Sequence, residues 1–165
     1  MKKLLLILLC LPMIGFGQNV NIPDANFKAY LVGNALINTN GDSEIQVSEA
    51  AAFGDSISCH SLAISDLTGI EHFTALTYLR CHSNQLTSID VSNNTALTYL
   101  YCGNNPFTSL DVSQNTALIE LICDYSGIAS LDVSNNTALT YLLCRYNQLT
   151  SLDVSQNTAL TYLNC

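Results

Sequence analysis

LTSIDVSNNTALTYLYCGNN (Leu86–Asn105) is followed, one residue later, by FTSLDVSQNTALIELICDYS (Phe107–Ser126). IASLDVSNNTALTYLLCRYN (Ile128–Asn147) and LTSLDVSQNTALTYLNC (Leu149–Cys165) complete the series. Leu86, Phe107, Ile128 and Leu149 are each 21 residues apart. A fixed period of this length is the signature of a solenoid. Each copy makes one coil, and a coil buries its apolar face only against its neighbours. The apolar set Leu86, Ile89, Val91, Leu97, Leu100 and Cys102 recurs in register as Phe107, Leu110, Val112, Leu118, Leu121 and Cys123.

Leu100 and Cys102 alternate with Tyr99, Tyr101 and Gly103, which predicts a short strand with the first pair inward and the others outward. Asn84, Asn105 and Asn147 follow the strand, where the chain must turn. Their amides can satisfy backbone groups that the turn would strand inside the coil. Ser126 interrupts this column, so the third copy is expected to be weaker there.

The run from Leu97 to Phe107 has the form L-x-x-L-x-C-x-x-N-x-F. It resembles the leucine-rich-repeat family in its short bacterial, internalin-like form. The resemblance covers about Asp55 to Cys165. It implies an α/β solenoid: a right-handed horseshoe of about six coils with a parallel concave sheet and a small helical cap. Ile57, Cys59, Leu62 and Ile64 stand 22 residues before Leu79, Cys81, Asn84 and Leu86, so the first coils follow the longer repeat. Strands are expected near Ser58, Arg80, Tyr101, Ile122, Leu143 and Asn164.

Ahead of the repeats, residues 1–17 read as a signal peptide. Lys2 and Lys3 precede the apolar run Leu4–Ile14, and Gly15 and Gly17 supply small residues before Gln18. A retained anchor is the alternative. Cleavage leaves no transmembrane span and places the chain in a secreted or cell-surface setting. The full chain carries 13 acids against five Lys and Arg, a net charge of −8. Losing Lys2 and Lys3 makes it more acidic still. Nucleic acid and anionic membranes are poor partners for such a chain.

Residues 18–54 do not repeat and are expected to form the cap. Asp24 can cap a helix in which Phe27, Tyr30, Leu31, Ala35 and Leu36 fall at helical spacing. The next stretch resembles an EF-hand loop. Asn38, Asn40 and Asp42 occupy the first three ligand positions, the Glu44 carbonyl the fourth and Glu49 the closing position. That resemblance implies Ca2+, with no other cofactor required. Asn38 replaces the usual Asp and Ser43 the usual Gly. The alternative is a helix–loop–helix whose polar loop bonds to itself.

Cys59, Cys81, Cys102, Cys123, Cys144 and Cys165 form one column. Parallel strands ~4.8 Å apart point such thiols the same way, which suits small apolar fillers better than disulfides. Asp90, Asp111, Asp132 and Asp153 recur in the frame S-[IL]-D-V-S and are read as turn-forming acceptors. His60 and His82 point outward on adjacent coils without a third ligand, since Gly103 holds the next position. No Ser/His/Asp frame, phosphate loop or zinc motif is present, so no catalysis is expected.

The copies differ chiefly at outward strand positions. One column reads Tyr78, Tyr99, Glu120, Tyr141, Tyr162; the next Arg80, Tyr101, Ile122, Leu143, Asn164. A third reads His82, Gly103, Asp124, Arg145, and its flank Ser83, Asn104, Tyr125, Tyr146. Tyrosine gives large contact area at low entropic cost. A concave face that binds a macromolecule, protein more than glycan, is therefore expected. Its contact residues are Tyr78, Arg80, His82, Tyr99, Tyr101, Glu120, Ile122, Asp124, Tyr141, Leu143, Arg145 and Tyr162. The other class is a structural spacer or surface element. Residues 55–165 are taken as repeats cut short at Cys165, leaving an open coil that could self-associate.

Overall fold

The computed structural model describes residues 17–165. All of the predicted signal peptide except Gly17 lies outside the described residues. Six parallel strands form one sheet in chain order. They are β1 (Ser56–Ser58), β2 (Tyr78–Arg80), β3 (Tyr99–Tyr101), β4 (Glu120–Ile122), β5 (Tyr141–Leu143) and β6 (Tyr162–Asn164). Each expected strand centre is in fact the last residue of its strand. Pairing still runs one residue further, because Cys81, Cys102 and Cys123 donate their N–H groups to Tyr101, Ile122 and Leu143 carbonyls at 2.8–2.9 Å.

The register is one repeat per step: Leu79 pairs with Leu100, Leu100 with Leu121 and Leu121 with Leu142. These leucines and Cys81, Cys102 and Cys123 are fully buried, as are Leu97, Leu118 and Leu139. Burial of each leucine is worth roughly 1.5–3 kcal/mol. One continuous core therefore runs from the cap through the coils.

Two ladders of asparagine hold the coils in line. In the expected ladder, Asn84 Nδ2 donates to the carbonyls of Cys59 and Cys81, and its Oδ1 accepts from the N–H groups of Leu62 and Ile64. Asn105 and Asn147 repeat the scheme. The Ser126 hydroxyl donates only to the Asp124 carbonyl, so the Cys123 and Cys102 carbonyls lose one donor each at that step. The second ladder lies in the DVSxN turns. Asn115 Nδ2 donates to the carbonyls of Val91 and Asn94; Asn136 and Asn157 do the same one and two coils on. Beside it, Asp90, Asp111, Asp132 and Asp153 each accept from the N–H two residues ahead, at 2.8–2.9 Å.

The cap contains α1 (Ala25–Val32) and α2 (Val47–Ala52). Asp24 accepts from Asn26 and Phe27 N–H to start α1, and its other oxygen accepts from Ser65 in the first coil. Tyr30 Oη accepts the Ser58 N–H at 2.8 Å, satisfying a donor that the first strand would otherwise leave unpaired. Phe27 and Leu31 are fully buried and join the core of the repeats. Among the described residues no helix is long and apolar enough to cross a membrane.

Candidate binding face

The sheet brings the expected contact residues onto one surface. Tyr78, Tyr99, Glu120, Tyr141 and Tyr162 are mutual register partners, and so are Arg80, Tyr101, Ile122, Leu143 and Asn164. His82, Asp124 and Arg145 follow two residues after their strands. Most of these side chains are half-buried against one another.

Near β2 and β3, the Arg80 guanidinium lies over the rings of Tyr78 and Tyr101, at 5.5 and 5.3 Å from their centroids. It also donates to Tyr78 Oη at 2.6 Å. Tyr101 Oη donates to Glu120 Oε2 at 2.6 Å. Burial first, and then this bond, push the Tyr101 phenol well above its ordinary range. His60 and His82 stack at 4.8 Å. Burial, His60 and Arg80 together lower the His82 imidazole below its ordinary value. Tyr141 and Tyr162 stack at 4.4 Å, nearly parallel.

Sequence reading left Tyr125 and Tyr146 out of the expected contact set; the structure places both beside Arg145 at the edge of the same surface. They are 50% and 64% exposed and stack at 4.2 Å. Arg145 sits over both rings while pairing with Asp124 at 3.5 Å. Both tyrosines adopt left-handed backbone, with φ of 53° and 56°, as do Ser83 and Asn104 in the same column. Asparagine adopts this conformation readily; tyrosine does so at a cost on the order of 1 kcal/mol. The signal was legible in outline: one column holds Ser, Asn, Tyr and Tyr just after the strand.

Among the described residues the six cysteines are free, and all but Cys165 are buried. Burial pushes the Cys59 thiol up to about 12 and Cys144 to about 11, and raises Cys81 and Cys102 well above the ordinary thiol value. A thiol so raised stays protonated at neutral pH.

In the cap loop, Asn38 is 5% exposed and its Oδ1 accepts the Gly41 N–H. Asp42 Oδ1 accepts from Glu44 N–H, and its Oδ2 from the side chains of Asn40 and Gln46. Burial opposes ionisation of Glu49, but bonds from Gln46, Thr39 and Asn40 hold its carboxyl below the ordinary range. The Glu44 carboxylate pairs with Lys28 at 2.7 Å. The side-chain oxygens of Asn38, Asn40, Asp42 and Glu49 thus all accept N–H groups of the loop, which bonds to itself.

Comparison with known proteins agrees with this architecture. A family model for leucine-rich repeats (2 copies) matches residues 74–115. Over 72 residues, 44% of the chain, identity to internalin J of Listeria monocytogenes serotype 4b (strain F2365) is 44%; the match spans 8% of that protein. The solved functional domain of internalin J from Listeria monocytogenes, described as including a cysteine ladder, matches with a TM-score of 0.80 and 45% identity. That match covers 90% of this chain and 33% of the other. Internalin C2 from the same species matches at TM-score 0.73 and 18% identity, over 85% of this chain and 63% of the other, which is a likeness of fold alone. The repeats of residues 74–115 match the leucine-rich-repeat model, and the solenoid is similar to those of internalins.

Proposed function

We propose that this leucine-rich-repeat solenoid is an exported or cell-surface module that binds a protein through its concave sheet and catalyses no reaction. The observation that carries the reading is the concentration of tyrosines, Arg80 and Arg145 on the sheet's outward columns, where no backbone duty requires them. Tyr and Arg are the residue types that dominate binding hot spots. Leucine-rich-repeat solenoids similar to internalins are commonly used for protein binding, which supports the same reading. The column thiols are buried and held protonated, and Tyr101 is tied to Glu120, which supports a binding role. The basic and apolar leader of residues 1–17 supports export.

The test is selection of a displayed random-peptide library against the immobilised chain. Enriched binders should lose the double variant Tyr99→Lys/Leu143→Asp and keep Asp111→Lys. Binders indifferent to the sheet variant, or no enrichment at all, would favour a spacer. We further propose that the cap loop takes Ca2+ on Asn38, Asn40, Asp42, the Glu44 carbonyl and Glu49, in the weak range of ~10⁻⁴–10⁻³ M. Absence of calorimetric heat at millimolar calcium, or unchanged heat in Glu49→Ala, retires that part.

A further inference from the structure

A hollow of about 460 Å³ opens on the sheet between Arg80 and Tyr125. His82, Tyr101, Ile122 and Asp124 are among the residues that line it. Its size falls within the range of ordinary ligand pockets. The hollow exists because Gly103 interrupts the column His82, Gly103, Asp124, Arg145. A Cβ at Gly103 would stand 2.5 Å from Asp124 Oδ1 and 2.6 Å from the Asp124 carbonyl, so no side chain fits there without displacing the next coil.

The charges in and around the hollow differ in how they are paired. Lys28 is paired with Glu44, and Arg145 with Asp124. Glu120 is engaged by Tyr101. Among the described residues no carboxylate pairs with Arg80. Its guanidinium is instead clamped by two tyrosine rings and by Tyr78 Oη, which fixes the plane of the fork and leaves most of its five donors free. A fixed, unpaired guanidinium on a chain of net charge −8 is complementary to a single carboxylate. A long acidic segment would be repelled by the remainder of the surface. At the other end, Ile122 and the exposed ring of Tyr125 offer an apolar wall.

We propose that this hollow is the anchor subsite of the face. It takes one acidic peptide side chain next to an aromatic one, the carboxylate on Arg80 and the ring against Ile122 and Tyr125. The proposal rests on the reading of the sheet as a protein-binding surface. Calorimetric titration of the chain with N-acetyl-Phe-Glu-amide, N-acetyl-Phe-Gln-amide and trigalacturonate tests it. The Glu peptide should bind at millimolar concentration and at least about tenfold more tightly than the Gln peptide, a difference of ~1.4 kcal/mol. Arg80→Gln should abolish that preference, and Arg80→Lys, which keeps the charge but not the fork, should retain part of it. Equal binding of the two peptides, no heat with either, or a preference that survives Arg80→Gln in a chain that still unfolds cooperatively would overturn the subsite. Tighter binding of trigalacturonate would overturn it in favour of an acidic glycan. Library binders that depend on Tyr99 and Leu143 but ignore Arg80 would remove the subsite and leave the binding face standing.

Discussion

In the DVSxN turns, Asn94, Asn115, Asn136 and Asn157 repeat unchanged, while the register partners Arg80, Tyr101, Ile122, Leu143 and Asn164 share no chemistry. Both sets are copies of one ancestral repeat. The difference lies in what each side chain touches. The turn asparagines are buried and donate to carbonyls of the preceding coil. Each such bond is worth about 1 kcal/mol, and few side chains can donate to both carbonyls at once. The sheet residues project from a ladder whose backbone is already paired. Their identity is free to answer to something outside the chain.

The largest expected effect comes from breaking the turn ladder. Asn115→Leu removes one of two donors from each of the Val91 and Asn94 carbonyls, which keep their bonds from Asn94 and Leu97 N–H, and should cost roughly 1–3 kcal/mol in urea unfolding. Tyr141→Ser on the sheet should change stability by less than ~1 kcal/mol. Equal losses at the two sites would erase the distinction between them. A repair sharpens it: Ser126→Asn supplies donors for the Cys102 and Cys123 carbonyls and should raise stability by about 1 kcal/mol.

Acid titration separates the two regions by pH. The turn aspartates have folded values below the ordinary 3.8, because each carboxylate accepts from a serine two residues ahead. Depressed carboxylates add stability that is complete above about pH 4 and disappears as pH falls through their folded values. His82 is also depressed, by burial and by the neighbouring His60 and Arg80. The unfolded state therefore binds its proton first, and stability begins to fall as pH drops below about 6.5. Midpoints of thermal unfolding should show a shallow decline from pH 6.5 and a steeper one below pH 4. His82→Gln should remove only the shallow one.

The smallest effect is a gain. Tyr125→Asn relieves left-handed strain and should raise stability by about 0.5 kcal/mol or less, since it also loses the stack on Tyr146. The same change should weaken capture of library peptides. Higher stability with undiminished capture would mean that Tyr125 contributes nothing to the surface.

The period of 21 residues, the inward leucines and cysteines and the turn asparagines at 84, 105 and 147 were legible in the residues themselves. Repetition prints the same burial pattern several times, which makes it hard to misread. The second asparagine ladder was visible only as part of an unvarying frame. DVSNN alone does not say which asparagine turns inward; the DVSQN copies, with Gln114 and Gln156, mark the second as fixed, and the packed coil buries Asn94 while Asn93 stays exposed.

The chain's own order of residues thus determined how the coils stack, because stacking depends on apolar spacing and backbone satisfaction, both local and periodic. Which outward side chains meet was decided by the fold. Arg80 lies between rings from its own and the next coil, Gly103 makes room beside Asp124, and Tyr125 finds Tyr146 only because residues 21 apart are brought side by side. Charge pairing and cavity shape depend on distances across coils, and those exist only once the sheet has formed.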